Sequence, residues 1–226
     1  MSNTLILASI GILIGCNTES TITITFDPMV NGEPLEYGKK YAAPNGDGTF
    51  YITDFMFYVS NIRLSNDDGS DYVEKNSYHL IKFENGSGHS IILDSVDARA
   101  YGNLELSIGI DSVANNSAVP RGDLDPTNPM AWNWTSGYKF ILLEGKYNPG
   151  AGRSIPLVYH IGFSENRKEL SFVVPSSGHI HLKVEINKLF TQPNPIDFHI
   201  HPEILFNQEH AAMLAANYAQ GFVELE

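Results

Sequence analysis

The 226-residue sequence has one cysteine, Cys16, so no intrachain disulfide can form and the fold must be held by burial and backbone pairing. Cationic side chains are also few: 14 Lys and Arg stand against 26 Asp and Glu, a formal net charge of -12. Nucleic-acid binding takes its affinity from clustered Lys and Arg that displace counterions, and this balance argues against DNA or RNA as a partner. Ser-His-Asp, phosphate-loop and zinc-protease signatures are missing, which points to a binding protein rather than an enzyme. Asp111 and His160 can be imagined as an acid/base pair, but nothing in the sequence places them together. The apolar run at residues 5–14 is too short to span a bilayer as a stable helix.

That run instead suits the h-region of a signal peptide, although no Lys or Arg precedes it. Leu13-Ile14-Gly15-Cys16 then has the form of a bacterial lipobox, which makes residues 1–16 a lipoprotein signal segment ending at Cys16, the expected lipid acceptor and mature N-terminus. Asn17, rather than Asp, follows the cysteine and points to the outer membrane. An outer-membrane lipoprotein facing the periplasm or the cell surface is therefore expected.

Residues 17–226 are long enough for one sizeable core and contain no evident linker, so a single domain is expected. Threonine alternates with apolar residues from Thr21 to Phe26, the period-two signature of a half-buried strand. Residues 50–64 are aromatic and β-branched, and their apolar face changes phase near Ser60-Asn61, which suggests a bulge. Further strands are expected over 78–83, 90–93, 104–111, 139–145, 157–162, 170–174 and 179–186. Residues 209–220 carry Ala212, Leu214, Ala215 and Tyr218 at helical spacing, and Gly221 stops them. The pattern predicts a mostly β protein, an antiparallel β-sandwich with a short C-terminal helix.

Both tryptophans, Trp132 and Trp134, lie in one polar, turn-rich segment that leads into the apolar run 139–145. Residues alone leave two readings open: indoles capping the end of a sandwich core, or an aromatic rim of Trp132, Trp134 and Tyr138 stacking on a sugar or peptide. The blocks Asp125-Pro126, Met130, Trp132, Trp134, Gly137-Tyr138 and Glu144-Gly145 follow Phe57-Tyr58-Val59-Ser60-Asn61-Ile62-Arg63-Leu64. After them come Tyr159-His160-Ile161-Gly162 and Ala215-Ala216-Asn217-Tyr218. In this order they resemble the MbnP-like family of bacterial copper-binding proteins, relatives of the methanotroph MopE-type surface proteins. The resemblance runs from about residue 21 to the C-terminus. It implies copper as the bound metal and a di-haem peroxidase-like partner that oxidises a tryptophan to kynurenine, a copper ligand alongside histidines. Trp132 is the first candidate for that modification and Trp134 the second.

Imidazole is the main soft-to-borderline ligand this composition offers, and it suits copper or zinc. His160 leads because it lies in a family-like block on an apolar strand; the competing reading is a hydrogen-bonded core histidine. His199 and His201 rank second, read as one face of a strand about 6 to 7 Å apart beyond a Pro-Asn-Pro turn. His179 and His181 share their face with Lys183 and Glu185 and are expected to meet solvent; His79, His89 and His210 receive no role. Asp123 and Asp125 in Gly-Asp-Leu-Asp-Pro can hold calcium or simply begin a turn.

Overall fold

The computed structural model describes residues 21–44, 46, 48–84, 87–117, 119–133 and 137–226; Cys16 with its leader, and Trp134, lie outside the described residues. The first strands are β1 (Thr21–Val30), β2 (Glu33–Pro34), β3 (Tyr41–Ala42), β4 (Thr49–Ser65), β5 (Asp71–Val73), β6 (Tyr78–Lys82), β7 (His89–Asp94) and β8 (Asn103–Ile108). They continue with β9 (Ala131–Asn133), β10 (Gly137–Asn148), β11 (Ile155–Gly162), β12 (Lys168–Val173), β13 (His179–Glu185), β14 (Glu203–Ile204) and β15 (Val223–Leu225). Two α-helices accompany them, α1 (Ser112–Asn115) and α2 (Gln208–Ala219).

The strands form two sheets. In the smaller, β15, β13 and β1 lie side by side, and β7 and β2 share the other edge of β1. The larger runs β12-β8-β4-β10-β11-β14, with β3, β5 and β6 along β4 and β9 on β10. Pairing is antiparallel as expected except for β1 with β13 and β11 with β14, which are parallel. Alternation of side chains carries no information on strand direction, so those two pairings could not be read from the sequence.

Alternation does fix which side chains go inside. Ile22, Ile24 and Phe26 of β1 and Ile180, Leu182 and Val184 of β13 have no exposure and meet the inner face of the larger sheet; Phe26 packs edge-on to Phe57 of β4 at 5.7 Å. Asn31 and Gly32, with φ of 54° and 74°, supply the left-handed residues that close the β1–β2 hairpin.

In β4 the alternation fails. Every residue from Phe55 to Ser60 is buried, because both faces of the strand are covered. Phe55, Phe57 and Val59 enter the main core, whereas Met56 and Tyr58 join a second cluster with Tyr78, Ile110, Leu124, Met130, Tyr138, Phe140 and Leu142. The described residues of 110–138 thus cross the outer face of the larger sheet, where β9 pairs with β10. The bulge expected near Ser60-Asn61 is present: the β4–β8 register shifts between Ser60 and Arg63, and Asn61 has φ of 57°.

The C-terminal helix is α2. Asn207 caps it by accepting from the His210 N–H, Ala211, Leu214, Ala215 and Tyr218 are buried, and Gly221 follows with φ of 150°. Asn217, fully buried, holds the helix to the preceding loop by donating to the carbonyls of Leu189 and Asn194 and accepting from Asn194 N–H.

Candidate metal centre

On β11, Leu157, Tyr159 and Ile161 point into the main core, so His160 and Gly162 face the other way, toward the side covered by residues 110–138. Leu142 of β10 is the register partner of His160, and Glu144 that of Val158. Glu144 reaches diagonally, placing Oε1 2.8 Å from His160 Nε2. The imidazole is only 15% exposed. Burial lowers its pKa below that of an ordinary histidine, outweighing the upward pull of the Glu144 hydrogen bond. The neutral ring therefore donates Nε2–H to the carboxylate and keeps its lone pair on Nδ1. A carboxylate that fixes tautomer and orientation in this way is the support a ligating histidine requires. Asp54 of β4 stands opposite Glu144 in register, and burial together with Glu144 raises its carboxyl pKa.

Trp132 enters this face from β9. The sequence placed it in a turn-rich segment; the structure puts it in the short strand that pairs Asn133 with Gly137 and Ala131 with Tyr138. Its six-membered ring rests on Gly162, where a Cβ would stand 2.6 Å from Cζ3 and 3.1 Å from Cη2. Phe163 and Phe206 wall the indole, at centroid distances of 5.4 and 4.9 Å. Phe163 adopts φ of 68°, a strained conformation for a bulky residue, of order 1–3 kcal/mol. Such strain persists only where surrounding packing over-determines it, here against the indole. Trp132 and His160 thus share one side of β11, with the tryptophan seat two residues from the histidine.

His199 and His201 are not a strand pair, contrary to the sequence expectation. The Asp197 carboxylate accepts from His199 N–H at 2.7 Å and its carbonyl accepts from Ile200 and His201 N–H, closing a turn between Pro195 and Pro202. That local capping, with prolines that cannot join a ladder, defeats the extended geometry. The two rings separate: His199 Nε2 meets Tyr147 Oη at 3.0 Å, whereas the His201 ring packs on that of His210 at 4.4 Å. His179 and His181 are exposed, as expected.

The imagined partnership of Asp111 with His160 does not form. Asp111 caps α1 through Val113 and Ala114 N–H and accepts from Tyr78 Oη. Asp125 Oδ1 accepts from both the N–H and the hydroxyl of Thr127, a local turn, whereas Asp123 pairs with β6, its Oδ2 accepting from Leu80 N–H and its N–H donating to the Tyr78 carbonyl.

Glu144, Gly162, Phe163, Phe206 and His210 were not singled out in the sequence as parts of a site. Gly162 was the most accessible of them, since a glycine inside a strand marks a close approach of another group. Glu144 needed the diagonal of a known register, and His210 needed the tertiary contact with His201.

The architecture is that of a β-sandwich carrying a carboxylate-oriented imidazole beside a seated tryptophan. A family model described as MbnP matches residues 19–208, and the chain belongs to the MbnP family. Membership supports a copper-related role. Among solved structures, MbnP from Methylosinus trichosporium superposes with a TM-score of 0.57 at 16% identity, covering 79% of this chain and 80% of that one, a likeness of fold. No curated protein matches the sequence.

Proposed function

We propose that this chain is a lipid-anchored copper-binding protein of the periplasm or cell surface, with His160 as a nitrogen ligand and Trp132 as the residue a di-haem peroxidase-like partner converts to kynurenine. The observation that carries the reading is the half-buried, neutral His160 held through Nε2 by Glu144 beside the Trp132 seat. Imidazole nitrogen fits copper, whereas unmodified indole has no lone pair to offer; the aromatic amine and ketone of kynurenine do. His201 and His210, in ring contact with each other, are a pair of imidazoles that lie together. Attachment at Cys16 supplies the membrane anchor. For the alternative, a sugar- or peptide-binding module, the part of the Trp132 ring that rests on Gly162 and Phe163 is not free for stacking, and the exposed aromatic beside it is Phe206.

The test is a copper titration against a competing chelator with wild type and His160→Ala. A loss of affinity of about tenfold or more, roughly 1.4 kcal/mol, with an unchanged far-ultraviolet circular dichroism spectrum is expected. Equal affinity moves the copper away from His160. Peptide mass spectrometry of host-purified protein over the stretch ending at Lys139 is expected to show Trp132 modified, and protein made without the haem partner to show it intact.

A further inference from the structure

The smaller sheet has an outer face of its own, built from the odd-numbered positions of β1 and β13. Thr25 is the register partner of His181 and Asp27 that of Lys183, and Glu226, just past β15, donates its backbone N–H to the His181 carbonyl. Three strands thereby bring three ligand-type side chains together. His181 Nδ1 lies 3.3 Å from Asp27 Oδ2, and one ligand atom each from Asp27, His181 and Glu226 all fall within 4.8 Å of one another. Among the described residues this is the group of three His, Asp and Glu side chains with ligand atoms that close.

We propose that Asp27, His181 and Glu226 form a second metal site, open to solvent, for a borderline divalent ion of the zinc class. Bonds of about 2.0 to 2.2 Å from one tetrahedral ion to imidazole nitrogen and carboxylate oxygen put ligand atoms roughly 3.3 to 3.6 Å apart, the spacing His181 and Asp27 already have at 3.3 Å, and the Glu226 carboxylate closes in to complete the set. The donor set of one imidazole and two carboxylates suits that class better than thiophilic Cu(I). The strand ladder fixes all three backbones before any ion arrives. Gly88 leaves the space Asp27 needs, since a Cβ there would lie 2.4 Å from Asp27 Oδ1. A cleft of about 230 Å³ opens beside Asp27 and Glu226, bordered by Met29, Pro34 and Leu35, so further coordination positions remain accessible.

One cation already competes. Lys183 Nζ stands 2.9 Å from Glu226 Oε1, and an incoming metal must displace it from that oxygen. This gives the proposal a signature opposite in sign to ligand loss: removing the ammonium strengthens binding.

The experiment is calorimetric titration of the purified protein with Zn²⁺ alone. Wild type is expected to bind an equivalent that His181→Ala and Asp27→Asn each weaken by about tenfold or more and that Lys183→Met tightens, while His179→Ala, at an exposed position of the same strand, leaves it unchanged. His181 is 53% exposed, so its truncation leaves the core intact. An isotherm unaltered by His181→Ala, or one abolished by His210→Ala instead, overturns the proposal. Because His160 belongs to the copper reading and His181 does not, failure of either leaves the other standing.

Discussion

The two outer faces of the sandwich start from the same period-two pattern and end in different environments. On the smaller sheet, Thr23, Thr25, His181 and Lys183 meet solvent or border it, and Ile92 of β7 is 59% exposed. On the larger sheet, residues 110–138 fold back over β4, β10 and β11, and Met56, Tyr58, Phe140 and Leu142 lose contact with water. A histidine on the covered face becomes a neutral, carboxylate-oriented donor next to a tryptophan. Another on the open face is left with charged neighbours at an accessible surface. Cover, rather than residue type, separates His160 from His181.

The largest expected effect tests the cover itself. Met130, with no exposure, belongs to the second cluster, and Met130→Ala is expected to cost about 2–5 kcal/mol through lost burial and a residual cavity. Ile92→Ala on the open face is expected to cost no more than about 1 kcal/mol. Urea unfolding midpoints measure both. Similar losses at the two positions would break the comparison, because they would mean that residues 110–138 do not pack as a core.

A smaller effect sharpens the picture at the tryptophan. In Gly162→Ala the new methyl meets Trp132 Cζ3 at 2.6 Å and the Tyr138 carbonyl at 2.7 Å, so the indole must leave its seat or the hairpin must shift. Overpacking of this kind costs about 1–3 kcal/mol. In a Trp134→Phe background the Trp132 emission is expected to move to the red as the ring gains water. An unchanged spectrum with unchanged stability would show that the ring does not rest on Gly162.

Much of the fold was legible because the strands obey alternation: β1, β13 and the bulge in β4 lie where the residues indicate. The C-terminal helix, expected over residues 209–220, spans Gln208–Ala219. What stayed hidden was what the pattern does not encode. Six buried residues in a row in β4 follow from a remote segment folding back, and the parallel partners of β1 and β11 follow from tertiary order. At the site, His160 and Trp132 were visible as candidates, but Glu144 as the orienting carboxylate required the β10–β11 register. The supposed strand pair His199 and His201 failed for a local reason, since Asp197 offers the backbone a turn that competes with the ladder.

The smallest expected effect concerns protons. Burial lowers the His160 pKa below the 6.5 of an unperturbed histidine, so on acidification the unfolded chain takes up this proton before the folded one. Between the two pKa values the unfolded state binds more protons, and stability rises with pH there. The His160 contribution is therefore complete above about pH 6.5 and is lost as pH falls through the folded pKa. Glu144 pulls the pKa up and Lys139 pushes it down, but burial is the largest influence and sets the sign. Other groups titrate nearby: the Asp54 carboxyl is raised, with the opposite sign, and the Glu74 carboxyl is lowered, acting near and below 4.5. A difference measurement removes both. His160→Gln keeps an amide N–H for Glu144 and removes the titration, so wild type minus variant stability, followed by urea unfolding from pH 8 to pH 5, is expected to decline as pH drops below about 6.5. A difference that stays flat would show that burial does not govern His160, and one that grows on acidification would show that the Glu144 carboxylate outweighs burial and holds the ring charged.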